Sequence, residues 1–299
     1  MNGKSGVSMF VLFRVSKKTV WFGMVAWCVA LVLFLLHFVT STVKTDAAVS
    51  EEPIALPIIM YHGLSLNPAK QGKYVISPKV LEADLQYLKQ NGYTTVTMAE
   101  VIQYVMQGEA LPEKPIMLTF DDGNYNNYVY AYPLMKQYQS RMVLSPIGEA
   151  VDRYTKLGNC EVEYATCHWQ HLREMQESGL VELQNHSYQM HSLSDRKGSS
   201  KKATETAEQY RLDFTNDVKR MQQRLLDELG KEATTFVYPF GAVSQESVAL
   251  LKEMGFQATM NCESRVNAIT RDSDCLFGLG RYLRTSTPDS ATFFQTIFS

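Results

Sequence analysis

The sequence has no excess of either charge. Lys and Arg number 29 against 31 Asp and Glu, a formal net charge of −2. A nucleic-acid-binding surface needs a basic balance and a polyanionic tail an acidic one, so neither is indicated. Glycine (17) and proline (10) occur in ordinary numbers, which excludes collagen-like and low-complexity chains. There is no internal repeat, no Pro- or Ser-rich linker, and no second shift of composition after residue 55. No CxxC pair occurs, which argues against a zinc site made from the cysteines.

What is present is a globular composition of 299 residues, 45% apolar and 20% charged, with one segment unlike the rest. Val20 to Val39 contains no Asp, Glu, Lys or Arg, and His37 is its only strongly polar side chain. Twenty residues at 1.5 Å each span about 30 Å, the thickness of a bilayer's hydrocarbon core. Lys4, Arg14, Lys17 and Lys18 precede this stretch, whereas Lys44 and then Asp46, Glu51 and Glu52 follow it. The positive-inside bias therefore predicts a cytoplasmic N-terminus over 1–19 and a transmembrane signal-anchor over 20–43. A linker over 44–54 and one domain over 55–299, outside the cytosol, complete the chain. The expected location is the cell membrane, single-pass. A cleaved signal peptide, giving a secreted protein, is the competing reading. Its apolar region usually runs about 7–15 residues, and Thr45-Asp46-Ala47 is a poor cleavage site.

Cys28 falls in the apolar span, leaving Cys160, Cys167, Cys262 and Cys275 in the exported part. Four cysteines allow three connectivities. The sequence-local pairs Cys160–Cys167 and Cys262–Cys275 are candidate disulfides, each stapling a loop.

The exported part alternates two kinds of apolar segment. Short β-branched or aromatic runs predict strands at Pro57–Tyr61, Tyr93–Met98, Pro115–Phe120, Arg141–Pro146, Leu180–Asn185, Thr234–Tyr238 and Phe256–Met260. Helical patterns lie between them. Ser77–Gln90 opens on a capping serine followed by proline. Trp169–Ser178 and Gln245–Glu253 each stop before glycine, and Phe214, Val218, Met221, Leu225 and Leu229 mark one face of another helix. Seven strands alternating with helices predict an α/β domain with a mostly parallel sheet, closed or nearly closed, as in a distorted (β/α)7-type barrel. An open doubly wound sheet is the runner-up.

In such folds chemistry collects beyond the carboxyl ends of the strands. His62 follows the first predicted strand, Asp121-Asp122-Gly123 the third, His186 and His191 the fifth, and Pro239-Phe240-Gly241 the sixth. Each has an ordinary explanation on its own, Asp-Asp-Gly as a turn and a lone histidine as a structural residue. His186 and His191 would stand about 140° apart on a helix, so they converge only on a loop. Jointly the four exits favour a metal site on one rim.

These residues carry a resemblance. Thr119-Phe120-Asp121-Asp122-Gly123 resembles the first motif of the polysaccharide deacetylases, carbohydrate esterase family 4, with its NodB-homology domain. His186-Ser187 with His191 resembles the second, in the longer-spaced form of the poly-N-acetylglucosamine deacetylase branch. Phe236-Val237-Tyr238-Pro239-Phe240-Gly241 resembles the third. Met60-Tyr61-His62 resembles the opening of a circularly permuted subgroup, in which a histidine after the first strand replaces a C-terminal one. The likeness covers roughly residues 55–285.

The resemblance implies that Asp122, His186 and His191 hold a divalent ion, zinc first, with cobalt, nickel or iron also suited. It implies Asp121 as general base, His62 as proton donor to the departing amine, and the Phe240 backbone N–H as oxyanion donor. Tyr238, Pro239 and Phe240 would line the substrate site, the two aromatics offering surface for a pyranose ring. The implied reaction is removal of N-acetyl groups from N-acetylglucosamine units of a cell-surface or extracellular polysaccharide. The alternatives are an O-acetyl esterase on xylan-like or wall polymers and a catalytically weak glycan-binding module. A base beside the metal argues against a pure binder. Three departures stand out: Val237 occupies the place of the third motif's arginine, a fourth acidic motif is not identifiable, and no histidine follows His191.

Overall fold

Short apolar runs form the strands, and the segments between them form helices that cover the sheet. The computed structural model describes Trp27, Leu31 and residues 52–298. Apart from those first two residues, the predicted N-terminus, the signal-anchor and most of the linker lie outside the described residues. Among the described residues no helix is long and apolar enough to cross a membrane.

The strands are β1 (Ile54–Leu56), β2 (Ile58–Tyr61), β3 (Gly63–Leu64), β4 (Val75–Ile76), β5 (Thr94–Thr95) and β6 (Pro115–Asp122). Then follow β7 (Met142–Pro146), β8 (Val181–Leu183), β9 (Thr235–Val237), β10 (Ala258–Met260), β11 (Asn267–Ile269) and β12 (Tyr282–Leu283). All seven predicted strands are present, most of them shortened at their ends. The order β12-β2-β6-β7-β8 is parallel throughout. A parallel bridge from Asn185 to Phe236 passes from the exit of β8 to β9, which pairs in parallel with β10. A second, Met260 to Leu279, leads from β10 to the segment entering β12. The strands thus follow one another around a closed parallel ring, which favours the barrel over the open sheet. β1 and β11 form an antiparallel pair outside it.

Strand periodicity sorts the side chains. Ile58, Met117, Val143, Val237 and Met260 meet in one apolar cluster, closed off by Leu56, Ile269 and Val101. The alternate residues Ile59, Tyr61, Leu118, Phe120 and Leu144 pack with the helices in a larger cluster. Asp121 continues the inward series of Met117 and Thr119, so the pleat turns a carboxylate into the ring.

The predicted helices form at Pro78–Gln90, Trp169–Glu177 and Gln245–Glu253, and the fourth starts at Ala207, where the Thr206 side chain accepts the Gln209 N–H. The predicted strand Tyr93–Met98 is a correction: it ends after Thr95. Thr97 caps a helix over Met98–Gln107 and Glu100 bonds back to the Thr97 N–H, a reciprocal capping box. Glu182 adds acceptors for the Met98 and Ala99 N–H groups at 2.6 and 3.1 Å.

Candidate active site

Four strand exits supply the site. At the end of β6 the backbone turns sharply, with Asp122 at φ 72° and Gly123 at φ 75°. A left-handed Asp122 sends its carboxylate away from that of Asp121, so two adjacent acids face two different environments.

Asp121 is buried and paired with Arg281, whose side chain has no exposed surface. Arg281 donates from Nη1 to Oδ1 at 2.7 Å and from Nη2 to Oδ2 at 2.9 Å. Its Nε donates to the Asn261 carbonyl at 2.9 Å and Nη1 also reaches Thr119 Oγ1 at 3.2 Å. Burial alone would raise the pKa of Asp121. The Arg281 charge and fork-like hydrogen bonds, aided by the histidines, outweigh it and hold the carboxyl well below the usual carboxylate range.

Asp122 is in the opposite situation. Burial, reinforced by the Asp121 charge and opposed by His62, pushes its pKa up to about 6. Its buried Oδ1 has no hydrogen-bond donor. His191 Nε2 lies 3.2 Å and His186 Nε2 3.7 Å from that atom. His186 Nδ1 is 2.7 Å from the Val237 carbonyl, which can only accept, so Nδ1 carries the proton and Nε2 presents its lone pair. Burial pushes the His186 pKa down to about 3 and that of His191 also down, so both rings are neutral near pH 7. One carboxylate oxygen, the His186 Nε2 lone pair and the neutral His191 ring thus meet within 4.8 Å of one another. That donor set fits a divalent cation.

The five-residue spacing of the histidines works because the intervening loop is tied down. Ser187 takes φ 67°, its N–H donating to Asn185 Oδ1 at 2.8 Å. Asp217, on the helix Ala207–Leu229, accepts the Tyr188 and Gln189 N–H groups on its two oxygens, both at 2.8 Å. The chain is folded back on itself and the His191 ring returns to within 5.1 Å of the His186 ring.

His62 leaves β2 with Nε2 4.0 Å from Asp121 Oδ2, and its buried Nδ1 has no partner. Asn127 Nδ2 donates to its carbonyl at 2.7 Å, and Tyr74 meets the ring edge-on at 5.0 Å. Phe240, at φ 56°, lays its ring 4.3 Å from His191. Tyr238 is a correction: it is fully buried, its hydroxyl 2.8 Å from Ser247 Oγ, and offers no surface to a sugar. Pro239 is buried as well, against Gly198.

The predicted disulfides are also corrected, since Cys160, Cys167, Cys262 and Cys275 are all free. Cys160 lies against His168, Cys167 against the Asn124 carbonyl, Cys262 against Arg281 and Met60, and Cys275 against the Thr270 carbonyl. The functional residue that no motif reveals is Arg281. It brings an arginine to Asp121 where the third motif's arginine is replaced by Val237, whose side chain is core and whose carbonyl accepts from His186 Nδ1. The only signal for it was an arginine in the apolar stretch that becomes β12, and nothing local marked that stretch as an inward-facing strand.

The profile of the polysaccharide deacetylase family matches residues 108–259. The chain is 28% identical over 268 residues to poly-beta-1,6-N-acetyl-D-glucosamine N-deacetylase of Escherichia coli (strain K12), a match covering 81% of this chain and 38% of that protein. It therefore spans well under half the length of that relative. Among solved structures it is similar to IcaB from Ammonifex degensii, with 26% identity and a TM-score of 0.67 over 82% of this chain and 97% of that one. A de-N-acetylase from Aggregatibacter actinomycetemcomitans shares the fold at 23% identity and a TM-score of 0.70, covering 81% and 99%. The matched segment contains the Asp121–Asp122 turn, His186, His191 and the Phe240 turn, on the fold that these structures share, and the chain belongs to the polysaccharide deacetylase family.

Proposed function

We propose that this chain is a metal-dependent N-deacetylase that removes acetyl groups from N-acetylglucosamine units of an extracellular polysaccharide. The observation that carries the reading is the orphaned Asp122 Oδ1 faced by two neutral imidazoles, immediately beside a buried, arginine-held Asp121. The substrate class is supported by the E. coli relative and the reaction class by the family.

Asp122, His186 and His191 would hold the ion, zinc or another divalent metal of similar preference. Bound there, the ion supplies Lewis-acid polarisation of the acetamide carbonyl and acidifies a water. Asp121 would take the proton of the attacking water. Arg281 keeps Asp121 ionised and fixes the plane of its carboxylate, at the expense of some basicity. His62, 4.0 Å from Asp121, donates to the departing amine. The Phe240 N–H, turned by a left-handed backbone, is the oxyanion donor. The apolar stretch over 20–43 would anchor the domain to the membrane with its site outside the cytosol.

The test is acetate release by the full chain, loaded with Zn²⁺ or Co²⁺, from N-acetylglucosamine oligomers and from an O-acetylated xylan. Metal-dependent release from the amino sugar that disappears in Asp121→Asn is expected. Release from xylan alone would reassign the reaction to ester hydrolysis, and no release by metal-saturated protein would leave glycan binding as the function.

A further inference from the structure

A second group of metal-ligating side chains lies outside the site described above. Cys160, His168 and His171 each bring one donor atom within 4.8 Å of the other two. We propose that they form a structural metal site for a zinc-class divalent ion, in the spacing Cys-x7-His-x2-His. The proposal is independent of the deacetylase reading.

The donors suit such an ion and their placement is near what it needs. Thiolate and imidazole are the ligands of structural zinc sites, and tetrahedral bonds of normal length put S and N about 3.6 Å apart. Cys160 Sγ is 3.7 and 3.9 Å from the two ring nitrogens of His168. His168 Nε2 lies 2.8 Å from the Asn159 carbonyl, so that nitrogen carries the proton and Nδ1 is free to coordinate. The His171 ring packs beside the stacked Tyr125 and Tyr128 rings, 4.9 and 4.5 Å from them, and 4.9 Å from His168. Its Nδ1 now accepts the His168 backbone N–H at 3.1 Å. Coordination through Nε2 moves the ring proton to Nδ1 and exchanges this cap bond for a metal bond. The Cys160 thiol loses its proton to solvent on binding.

The position gives such an ion a purpose. Cys160 and His168 bracket a loop that is laced to the catalytic turn. Cys167 N–H donates to the Gly123 carbonyl and Tyr125 N–H to the Ala165 carbonyl, both at 2.8 Å, with Asn124 bridged to Thr166. On its other side, Glu163 accepts from Ser65 Oγ at 2.9 Å and pairs with Lys70 at 3.2 Å. An ion clamping the base of this loop would fix the frame between the His62 and Asp122 edges of the active site.

Cobalt substitution of the full chain tests this, because only a thiolate ligand gives a sulfur-to-cobalt charge-transfer band in the near ultraviolet. Two Co²⁺ per chain with that band are expected. Cys160→Ser and His171→Gln should each lower the count to one, the first abolishing the band, while Asp122→Asn lowers the count and keeps it. If the wild type holds one ion but shows a band that Cys160→Ser removes, the structural site stands and the catalytic assignment fails. A wild type without the band, or a band that survives Cys160→Ser, overturns the proposal. So does loss of two titratable thiols in the denatured wild type but not in Cys160→Ser, which would mean a disulfide made by Cys160.

Discussion

Arg281 grips both carboxylate oxygens of Asp121, at 2.7 and 2.9 Å, across 160 residues of sequence, with the arginine side chain fully buried and the aspartate nearly so. The pair joins the last strand of the ring to the catalytic turn. Removing one partner of a buried pair strands the other charge, which typically costs about 3–5 kcal/mol. Arg281→Met should lose stability on that scale in denaturant titrations, and kcat should fall with it because the base is no longer oriented. Arg281→Lys keeps the charge without the fork and should fall between the two. In the double variant with Asp121→Asn no charge is stranded, so its loss of stability should be less than the sum of the two single losses. Additive losses would mean that the two groups act independently.

Asp121 and His62 are assigned the two proton transfers, and each is worth about 10²–10⁴-fold in rate. Asp121→Asn should lower kcat by at least the smaller factor while the protein still binds one ion at the Asp122 site. Loss of that ion would make Asp121 a ligand. His62→Ala should lower kcat with little change in KM, as for a group that acts only in the transition state. An unchanged kcat would move the acid role elsewhere.

Much of this site was legible because the carriers of chemistry sat at strand exits. His62, Asp121, Asp122, His186 and His191 follow strands whose apolar runs were readable, and a parallel sheet leaves such residues on one rim. Arg281 was not legible. It stands just before a strand, Tyr282–Leu283, of only two residues, and its partner is chosen by closure of the ring, which no local pattern encodes. Tyr238 was misread for a related reason. Aromatic residues near a catalytic motif suggest a sugar platform, but strand alternation after Phe236 decides which ring faces in, and Tyr238 bonds Ser247 in the core. The predicted strand Tyr93–Met98 runs past its true end because Thr97, the helix cap, closes a β-branched run, and its capping partner Glu100 stands just beyond that run.

Metal binding at Asp122 should depend on pH with a determinate sign. In the metal-free fold the Asp122 pKa is raised to about 6 and that of His186 lowered to about 3. The imidazole is therefore a ready ligand throughout the neutral range, whereas the carboxyl must shed a proton below pH about 6. Affinity should fall about tenfold per pH unit below that point and level off above it. Stability follows the same carboxyl. A raised acid pKa favours the metal-free fold while the proton is bound, and that contribution is lost as pH rises from about 4 through about 6. The ion replaces the proton, so the gap in Tm between loaded and metal-free protein should widen over this window. A gap independent of pH between 4 and 7 would rule out Asp122 as the titrating ligand.

Asp217 should act on the metal without touching it. Its two oxygens hold the Tyr188 and Gln189 N–H groups and so fold His191 back toward His186. Groups that orient ligands from behind are typically worth about 10–100-fold in metal affinity. Asp217→Ala should weaken zinc binding in calorimetric titration by that factor and leave the stoichiometry at the catalytic site unchanged. His191→Ala removes a ligand and should cost more. Equal effects of the two would mean that the loop collapses without Asp217.

Gly123 separates backbone strain from site geometry. It takes φ 75°, and a Cβ added there would lie 2.6 Å from Pro146 Cβ and 3.0 Å from its Cα. Gly158 also takes a positive φ, 64°, but a Cβ there would meet open space. Gly158→Ala should therefore cost only the left-handed penalty of about 1–2 kcal/mol, with metal affinity at the Asp122 site unchanged. Gly123→Ala must in addition push β7 away from the catalytic turn, because Asp122 and Pro146 are register partners. It should be the more destabilised of the two in thermal melts, and it alone should lose metal affinity. If Gly123→Ala bound the ion as tightly as the wild type, the turn would be a structural feature that the ligand geometry does not need.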